Sequence, residues 1–347
     1  MPNRLGIITP YSQHERTRVA ISIADRAISE GTPASIFAVG ACHRAVSPYW
    51  DHRINHYVTA DFCEWASECD DLLWTIPPDL EMIAIGRRNG ARIGYFPFWE
   101  DLIPEHAPNV VACDVWLLPH CAAAEGLCQA WGSERITQIL IPWHNMRAAT
   151  THRRLSDVLQ VMFPLYDGQN TRVHTGVFEI IADVLQSCRN VHVTVCVGTG
   201  WHLLARERLR RLQRQFEQLS VVYRPDAIER AQLLANCDLV VQPANYESLG
   251  LIALDAITAG VPVCAWDIEP TNEFLHDGGN AMLVPAASKT TWLGMPLVVS
   301  DYAVFGEHLR RLLHNKDHLA TMTASVSIGL PGREAHFSAG WQAYRNP

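Results

Sequence analysis

The stretch VVQPANYESLGLIALDAITAGVPVCAWD, from Val240 to Asp267, decides the fold of this chain. It opens as a short apolar strand, passes through a tight turn carrying Glu247, continues as a helix carrying Asp255 and ends on a second buried strand, VPVCAW. Leu249 to Ala259 has high helix propensity and stops at Gly260, with Pro262 close behind. The helix is expected to begin near Ser248 to Leu251. Its first N–H groups have no intrahelical partners and together carry roughly half a positive charge, which suits an anion such as a diphosphate. Gly250 is expected to let the backbone approach that anion closely. Glu247 before the helix and Asp255 one and a half turns into it offer two carboxylates to sugar hydroxyls. A phosphorylated sugar is the ligand this arrangement suggests. The competing reading makes Glu247 a helix cap and Asp255 a solvated charge.

Outward from this segment, strand-like and helix-like runs alternate along the whole chain. In the first half RLGIITP and PASIFAVG read as strands, and TRVAISIADRAISEG between them as a helix stopped by Gly31. DDLLWTIP, ARIGYFPF and NVVACDVWLLP are further short apolar runs, and ERITQILIPW closes the series. The second half repeats the rhythm: LQVMFPLYD, VHVTVCVG, SVVYRP and DLVVQP as strands, with VFEIIADVLQSC, the Arg-rich WHLLARERLRRLQRQFEQL and IERAQLLANC as helices. This is the pattern of parallel sheets with helices on both faces. The fold class expected is α/β, with two Rossmann-like doubly wound domains facing across a cleft. The polar segment from His144 to Asp157 is the best linker, which sets domains at 1–150 and 151–330. Ligands of such sheets sit at the carboxyl ends of the strands.

Composition narrows the classes. At 347 residues, 48% hydrophobic and 18% charged, the chain suits a globular protein of two domains. No apolar run reaches the roughly 18–20 residues that cross a bilayer. The start, MPNRLGIITPYSQHE, lacks the features of a signal peptide and reads as the first strand of a cytoplasmic protein. A net charge of −8 argues against a broad basic surface for nucleic acid or anionic membrane. Ten cysteines contain no Cys-x-x-Cys pair, and Cys196 and Cys264 sit in apolar strands, so buried reduced thiols are expected. Cys113, His120, Cys121 and Cys128 match no zinc spacing, and no metal site is expected. The Arg-rich run from Arg206 to Arg214 reads as a solvated helix face. The first half holds seven of the eleven tryptophans; Trp50 and Trp99 lie in Pro-flanked loops where they would stack on a sugar or a base.

The segment ESLGLIALDAITAGVPV resembles the donor-binding motif of family 4 glycosyltransferases, which have the two-Rossmann GT-B fold. That motif is an acid, a Gly-Phe-Gly-Leu-like turn, a second acid, an Ala-rich helix, Gly and Pro-Val. Leu249–Gly250–Leu251 matches, while Ser248 replaces the usual first glycine and Asp255 the usual second glutamate. EFLHDGGNAMLVP, QILIPWHN and the closing REAHFSAGWQAY, with Phe337 and Trp341, also resemble stretches of that family. The resemblance implies a retaining transferase using a nucleotide sugar, most simply a UDP-sugar, with no obligatory metal and no further cofactor. The first domain would take the acceptor, the second the donor, and residues 331–347 would form a helix packing back toward the first domain. Glu247 would hold hydroxyls of the donor sugar. The N–H groups of Ser248, Leu249, Gly250 and Leu251 would hold the diphosphate, and Asp255 the ribose hydroxyls. Gly198, with Gly200, would let the backbone approach the nucleotide, and Arg224 before Pro225 would hold the base.

The sequence departs from the family in places. After the strand LQVMFPLYD, where the family carries Arg and Lys-Gly for the diphosphate, stands DGQNTRVHTG. Arg172 supplies one cation and Thr175 takes the lysine position, so either Arg172 acts alone or His174 or another Arg assists. Arg172 is therefore expected to neutralise the leaving group, as a planar guanidinium forked onto phosphate oxygens. In place of a Gly-Gly turn after the first strand stands PYSQHERTR. His14, Trp99 and Glu100 fall where acceptor contacts would sit, Glu100 as a base or hydroxyl ligand. The acceptor would be a glycan, a small molecule or a hydroxylated base in DNA, the last held by Arg16, Arg18, Arg87 and Arg88. A nucleotide-sugar epimerase or phosphorylase on the same scaffold, and a non-catalytic binding module, are the other readings.

Overall fold

Apolar strands and amphipathic helices alternate to build two parallel sheets. The computed structural model describes residues 4–10, 15–39, 55–57, 61–98, 106–118, 136–138, 155–167, 176–199, 203–286, 288–292, 295–299, 301–326 and 330–345. The chain divides into two units, one of residues 1–144, 293–295 and 332–347, the other of 145–292 and 296–331.

In the first unit, β1 (Leu5–Pro10), β2 (Ala34–Val39), β3 (Asn55–Tyr57), β4 (Asp71–Trp74), β5 (Arg92–Tyr95), β6 (Val115–Leu118) and β7 (Ile136–Gln138) pair in the order β3-β2-β1-β4-β5-β6-β7. All neighbours are parallel. Strands covered on both faces are apolar throughout, which is why Leu5, Ile7, Ile8, Leu72, Leu73 and Trp74 are all buried. Helix α1 (Glu15–Ser29) lays Val19, Ala20, Ile23, Ala24 and Ala27 on the sheet as one fully buried stripe. Then follow α2 (Phe62–Ala66), α3 (Leu80–Arg88) and α4 (Ala107–Val111). Asp79 caps α3 by accepting from the N–H groups of Glu81 and Met82 at 2.9 and 3.0 Å. Trp65, Trp74 and Trp116 are core residues; Trp50 and Trp99 lie outside the described residues. The run NVVACDVWLLP divides: α4 takes its first part, and β6 starts only at Val115. Between them the Asp114 carboxylate accepts from the Ile93 N–H and from Arg87, both at 2.8 Å, which ends the helix and sets the entry to the strand.

The second unit contains β8 (Leu159–Asp167), α5 (Val177–Ser187), β9 (Val191–Thr199), α6 (Leu203–Gln215), β10 (Leu219–Tyr223), α7 (Ala227–Ala235), β11 (Leu239–Gln242), α8 (Leu251–Thr258), β12 (Val263–Trp266) and β13 (Ala281–Val284). Its sheet runs β10-β9-β8-β11-β12-β13, parallel throughout. Beyond it come a two-stranded sheet of β14 (Ser288–Trp292) and β15 (Met295–Val299), then α9 (Tyr302–His314) and α10 (Lys316–Ser325). One face of the sheet presents Val161, Phe163, Leu165, Val193, Val195, Val197, Leu239 and Val241 to Ile181 and Val184 of α5 and Phe305 and Leu309 of α9. Each such side chain contributes about 1.5–3 kcal/mol by leaving water. At the foot of β11 the buried Asp238 carboxylate accepts from the Gln160 N–H at 2.8 Å, tying β11 to β8.

The last helix, α11 (Leu330–Arg345), packs on the first unit. Arg26 donates to Ser338 at 2.7 Å, and the Arg92 guanidinium lies 4.2 Å from the centre of the Tyr344 ring. Trp341 and Tyr344 are fully buried. Among the described residues no helix is long and apolar enough to cross a membrane.

Candidate active site

The strand order of the second sheet changes direction at its centre. From β8 the chain winds outward through β9 and β10, then crosses back to continue through β11, β12 and β13. In open α/β sheets ligands bind beyond the carboxyl ends of the strands at such a switch, which here falls between β8 and β11. The loop after β11 is the one that carries Glu247.

Alternation along β11 determines where that loop begins. Leu239 and Val241 face the α5/α9 core, so Val240 and Gln242 face the opposite side. Gln242 is the last residue of the strand and only 4% exposed. The chain reverses after it, and Gln242 Nε2 donates to Glu247 Oε1 at 2.5 Å. Glu247 is likewise 4% exposed, among the buried Tyr246, Ser248 and Leu249. A carboxylate placed this deep at the carboxyl edge of a sheet is not a solvated surface charge. Nor is it the cap of α8, since the helix carries no side-chain cap.

Helix α8 starts at Leu251, the last of the positions expected from the sequence, because Gly250 takes the N-cap position with φ +65°. Packing gives Gly250 a further reason to lack a side chain. A Cβ there would stand 2.7 Å from Phe274 Cζ and 3.1 Å from Thr271 Cγ2, so the missing side chain makes room for Phe274. Phe274 is held in turn by Asn280, which donates to the Phe274 carbonyl at 3.0 Å and accepts from the His276 N–H at 2.7 Å. Asp255 is the fifth residue of α8, just over one turn from its start. It is half-buried and shares the outer face of the helix with Ile252.

Two other expected positions lie at the same edge. Gly198 is half-buried in β9, which runs on to Thr199 rather than ending at the glycine. Arg224, directly after β10, is exposed and has φ +53°; its N–H donates to the Val197 carbonyl at 2.7 Å. Gly198 and Arg224 are thus neighbours across the β9/β10 pair. Arg172, His174, Thr175, Gly200, His14, Trp99 and Glu100 lie outside the described residues.

Four residues that the sequence did not single out, Gln242, Asn245, Tyr302 and Gly176, complete the edge. Tyr302 donates to Asn245 Oδ1 at 3.0 Å and packs edge-on against Trp266, with ring centres 6.4 Å apart. Its ring covers Gly176 at the start of α5, where a Cβ would come within 2.5 Å. Gln242 alone left a sequence signal, a polar residue closing the apolar run DLVVQP. Asn245, Tyr302 and Gly176 are far apart in the chain and meet only in the fold.

Elsewhere several arginines have neighbours of their own. Arg87 is paired with Asp114, Arg18 is buried, Arg16 lies 4.8 Å from the centre of the Phe98 ring, and Arg88 is exposed at the end of α3. Arg208 pairs with Glu179 at 3.4 Å, and Arg211 with Glu207 at 3.7 Å along α6. Among the described residues no cluster of His, Cys, Asp or Glu has the arrangement of a metal site. Cys113 is buried, its thiol directed to the Asn109 carbonyl; His120, Cys121 and Cys128 lie outside the described residues.

Residues 168–315, which include the whole of this edge from α5 to α9, match the family model described as glycosyl transferases group 1. That match covers a little under half of the chain. A D-inositol 3-phosphate glycosyltransferase of Paenarthrobacter aurescens (strain TC1) is 34% identical to it over 74 residues, 21% of this chain and 18% of that protein. An alpha-D-kanosaminyltransferase of Streptomyces kanamyceticus is 38% identical over 48 residues, 14% of this chain and 12% of that protein. The chain thus matches less than a fifth of the length of these curated relatives. Among solved structures, S. aureus TarM, crystallised as a variant with Fondaparinux, alpha-GlcNAc-glycerol and UDP, superposes with a TM-score of 0.79 at 10% identity, covering 99% of this chain and 100% of that one. Anabaena HepE in complex with UDP and glucose gives 0.72 at 15% identity, with both chains covered to 100%. At these identities the likeness is one of fold. The expectation of two Rossmann-like α/β domains of the GT-B type is borne out, and so is the resemblance to glycosyltransferases from which it was drawn.

Proposed function

We propose that the protein transfers a sugar from a nucleoside diphosphate sugar, a UDP-sugar in the simplest case, to an acceptor hydroxyl with retention at the anomeric carbon. The observation that carries the reading is the buried Glu247 beside the uncapped start of α8, at the switch point of the second sheet. An anion at that helix start finds N–H groups without intrahelical partners. Glu247 is then the group that accepts hydrogen bonds from donor-sugar hydroxyls, and Asp255 the one that accepts from the ribose. Gly198 and Arg224 flank the base. The N–H groups of Ser248 to Leu251 hold the diphosphate together with Arg172, which lies in sequence between β8 and α5. UDP complexes of HepE and TarM, which share the fold, support a uridine nucleotide as the first donor to try.

In this scheme the acceptor hydroxyl attacks the anomeric carbon from the face on which the diphosphate departs. The C–O bond to the diphosphate breaks, the new glycosidic C–O bond forms, and the hydroxyl proton passes to a diphosphate oxygen. No protein carboxylate need act as nucleophile. The protein's part is orientation and stabilisation of the departing charge. His14, Trp99 and Glu100 of the first unit are assigned to the acceptor, whose class stays a carbohydrate or other hydroxyl compound.

A thermal-shift screen of nucleoside diphosphates and nucleotide sugars tests the donor, because a ligand that binds only the native state raises its melting temperature. Product analysis with the stabilising donor tests transfer. Glu247→Ala should leave a folded protein with transfer nearly abolished. Full activity in that variant would remove the proposal.

A further inference from the structure

We propose that Gln242 is a positioning residue for Glu247, present at the end of β11 to hold one carboxylate oxygen so that the other faces the donor. The inference rests on the transferase reading and deepens it.

Gln242 sits in an otherwise apolar strand, Leu239–Val240–Val241, all fully buried. A polar side chain there would normally have both ends of its amide satisfied. Only one end is. Nε2 donates to Glu247 Oε1 at 2.5 Å, whereas Oε1 is buried without a hydrogen-bond partner among the described residues. Rotating the amide would not repair this, since it would set Oε1 against the carboxylate oxygen. The orientation is thus dictated by Glu247, and the orphaned oxygen is a cost borne for the contact with Nε2. A leucine or methionine would fill the same space without that cost. Packing alone gives no reason for a glutamine at this place.

The contact also explains how a loop residue can be aimed with accuracy. Glu247 lies in the loop between β11 and α8, and loops position side chains less sharply than strands. Gln242 belongs to the sheet, in register with Ala265 of β12. Its amide transfers the rigidity of β11 to the carboxylate five residues later. One oxygen of Glu247 is then pinned, and rotation of the carboxylate about its own axis is blocked.

Two variants of the full chain test this, Gln242→Met and Gln242→Glu, with UDP-glucose as the probe. In Gln242→Met the donor is lost while volume is kept. Turnover of UDP-glucose should fall roughly 10- to 100-fold, the effect of a small misalignment, with KM changed by no more than about threefold. In Gln242→Glu the introduced carboxyl faces Glu247 at hydrogen-bonding distance, and the pair shares one proton. That proton is held in the folded state to a pH above the ordinary carboxyl range. The stability it confers is therefore complete at low pH and lost as pH rises through the raised value. Turnover should follow, closest to wild type at about pH 5 and falling toward pH 8, measured against wild type at each pH so that other ionisable groups cancel.

A Gln242→Met enzyme within twofold of wild type in both kcat and KM overturns the proposal. So does a Gln242→Glu protein whose melting temperature differs from wild type by the same amount from pH 5 to pH 8. The melting profile needs no activity. If wild-type protein neither binds nor turns over any nucleotide sugar, the transferase reading fails by itself, and the profile still decides the Gln242–Glu247 contact.

Discussion

Replacing Gly250 by alanine places a methyl group where two separate physical costs meet. The first is conformational. At φ +65° an L-residue has its Cβ too close to the following carbonyl oxygen, which costs about 1–2 kcal/mol. The second is steric. The new Cβ stands 2.7 Å from Phe274 Cζ and 3.1 Å from Thr271 Cγ2, and Phe274 is 2% exposed, so it has nowhere to go. Overpacking of this kind costs about 1–3 kcal/mol. The sum, about 2–5 kcal/mol, is a large part of the stability of an ordinary domain. Urea denaturation of the intact chain, followed by circular dichroism, reads it as a shift of midpoint. A double-mutant cycle with Phe274→Leu separates the two parts, because leucine lacks the atom that clashes. In that background Gly250→Ala should cost about 1–2 kcal/mol less, leaving the conformational share behind. A loss below about 0.5 kcal/mol for the single variant would refute the assignment of φ at Gly250. A cycle with no coupling would refute the contact with Phe274. Donor binding should weaken in parallel, since the same residue sets the start of α8.

Asp255→Ala should raise the KM for a nucleoside diphosphate sugar about tenfold or more while leaving the fold intact, read by isothermal titration with UDP and by steady-state rates; an unchanged affinity would remove Asp255 from the nucleotide site. Prolonged EDTA treatment followed by desalting should leave transfer unaffected, and a loss restored by a divalent cation would contradict the metal-free scheme. Burial pushes the Cys69 thiol up to about 11 and the Cys113 thiol up to about 12. Both stay protonated in the fold while unfolded thiols ionise near pH 8.5, so their contribution to stability is complete below that pH and is lost as pH rises through about 11 and 12. Iodoacetamide at pH 8 should accordingly modify the exposed Cys63 well before Cys69, Cys113 and Cys264, as read by peptide mass spectrometry; equal rates at Cys63 and Cys69 would contradict the burial.

The alternation of elements was legible because it depends on local chemistry. Apolar runs such as VHVTVCVG, stops such as Gly31, and the Gly260–Val261–Pro262 exit from α8 act over a few residues, and all lie where the sequence suggested. The run NVVACDVWLLP was not legible in that way. Its first half is as apolar as a strand, yet Asp114 holds Arg87 and the Ile93 N–H, and that long-range pair ends a helix there. The site divides similarly. Glu247, Gly250 and Asp255 stood out because one short motif contains them. The packing at Gly250 was not legible, since nothing in the string shows that Phe274 will fill the space beside it.

The sequence by itself determined the βαβ rhythm, the parallel sheets and the neighbourhood of Glu247 to Asp255, because spacing, helix signals and turn residues depend on chain neighbours. Tertiary structure alone decided that Glu247 is buried and held by Gln242, that Phe274 closes on Gly250, and that Asn245, Tyr302 and Gly176 meet. Those facts follow from strand order and from which face of β11 each side chain takes. Both depend on pairing between segments tens of residues apart, to which local propensity is blind.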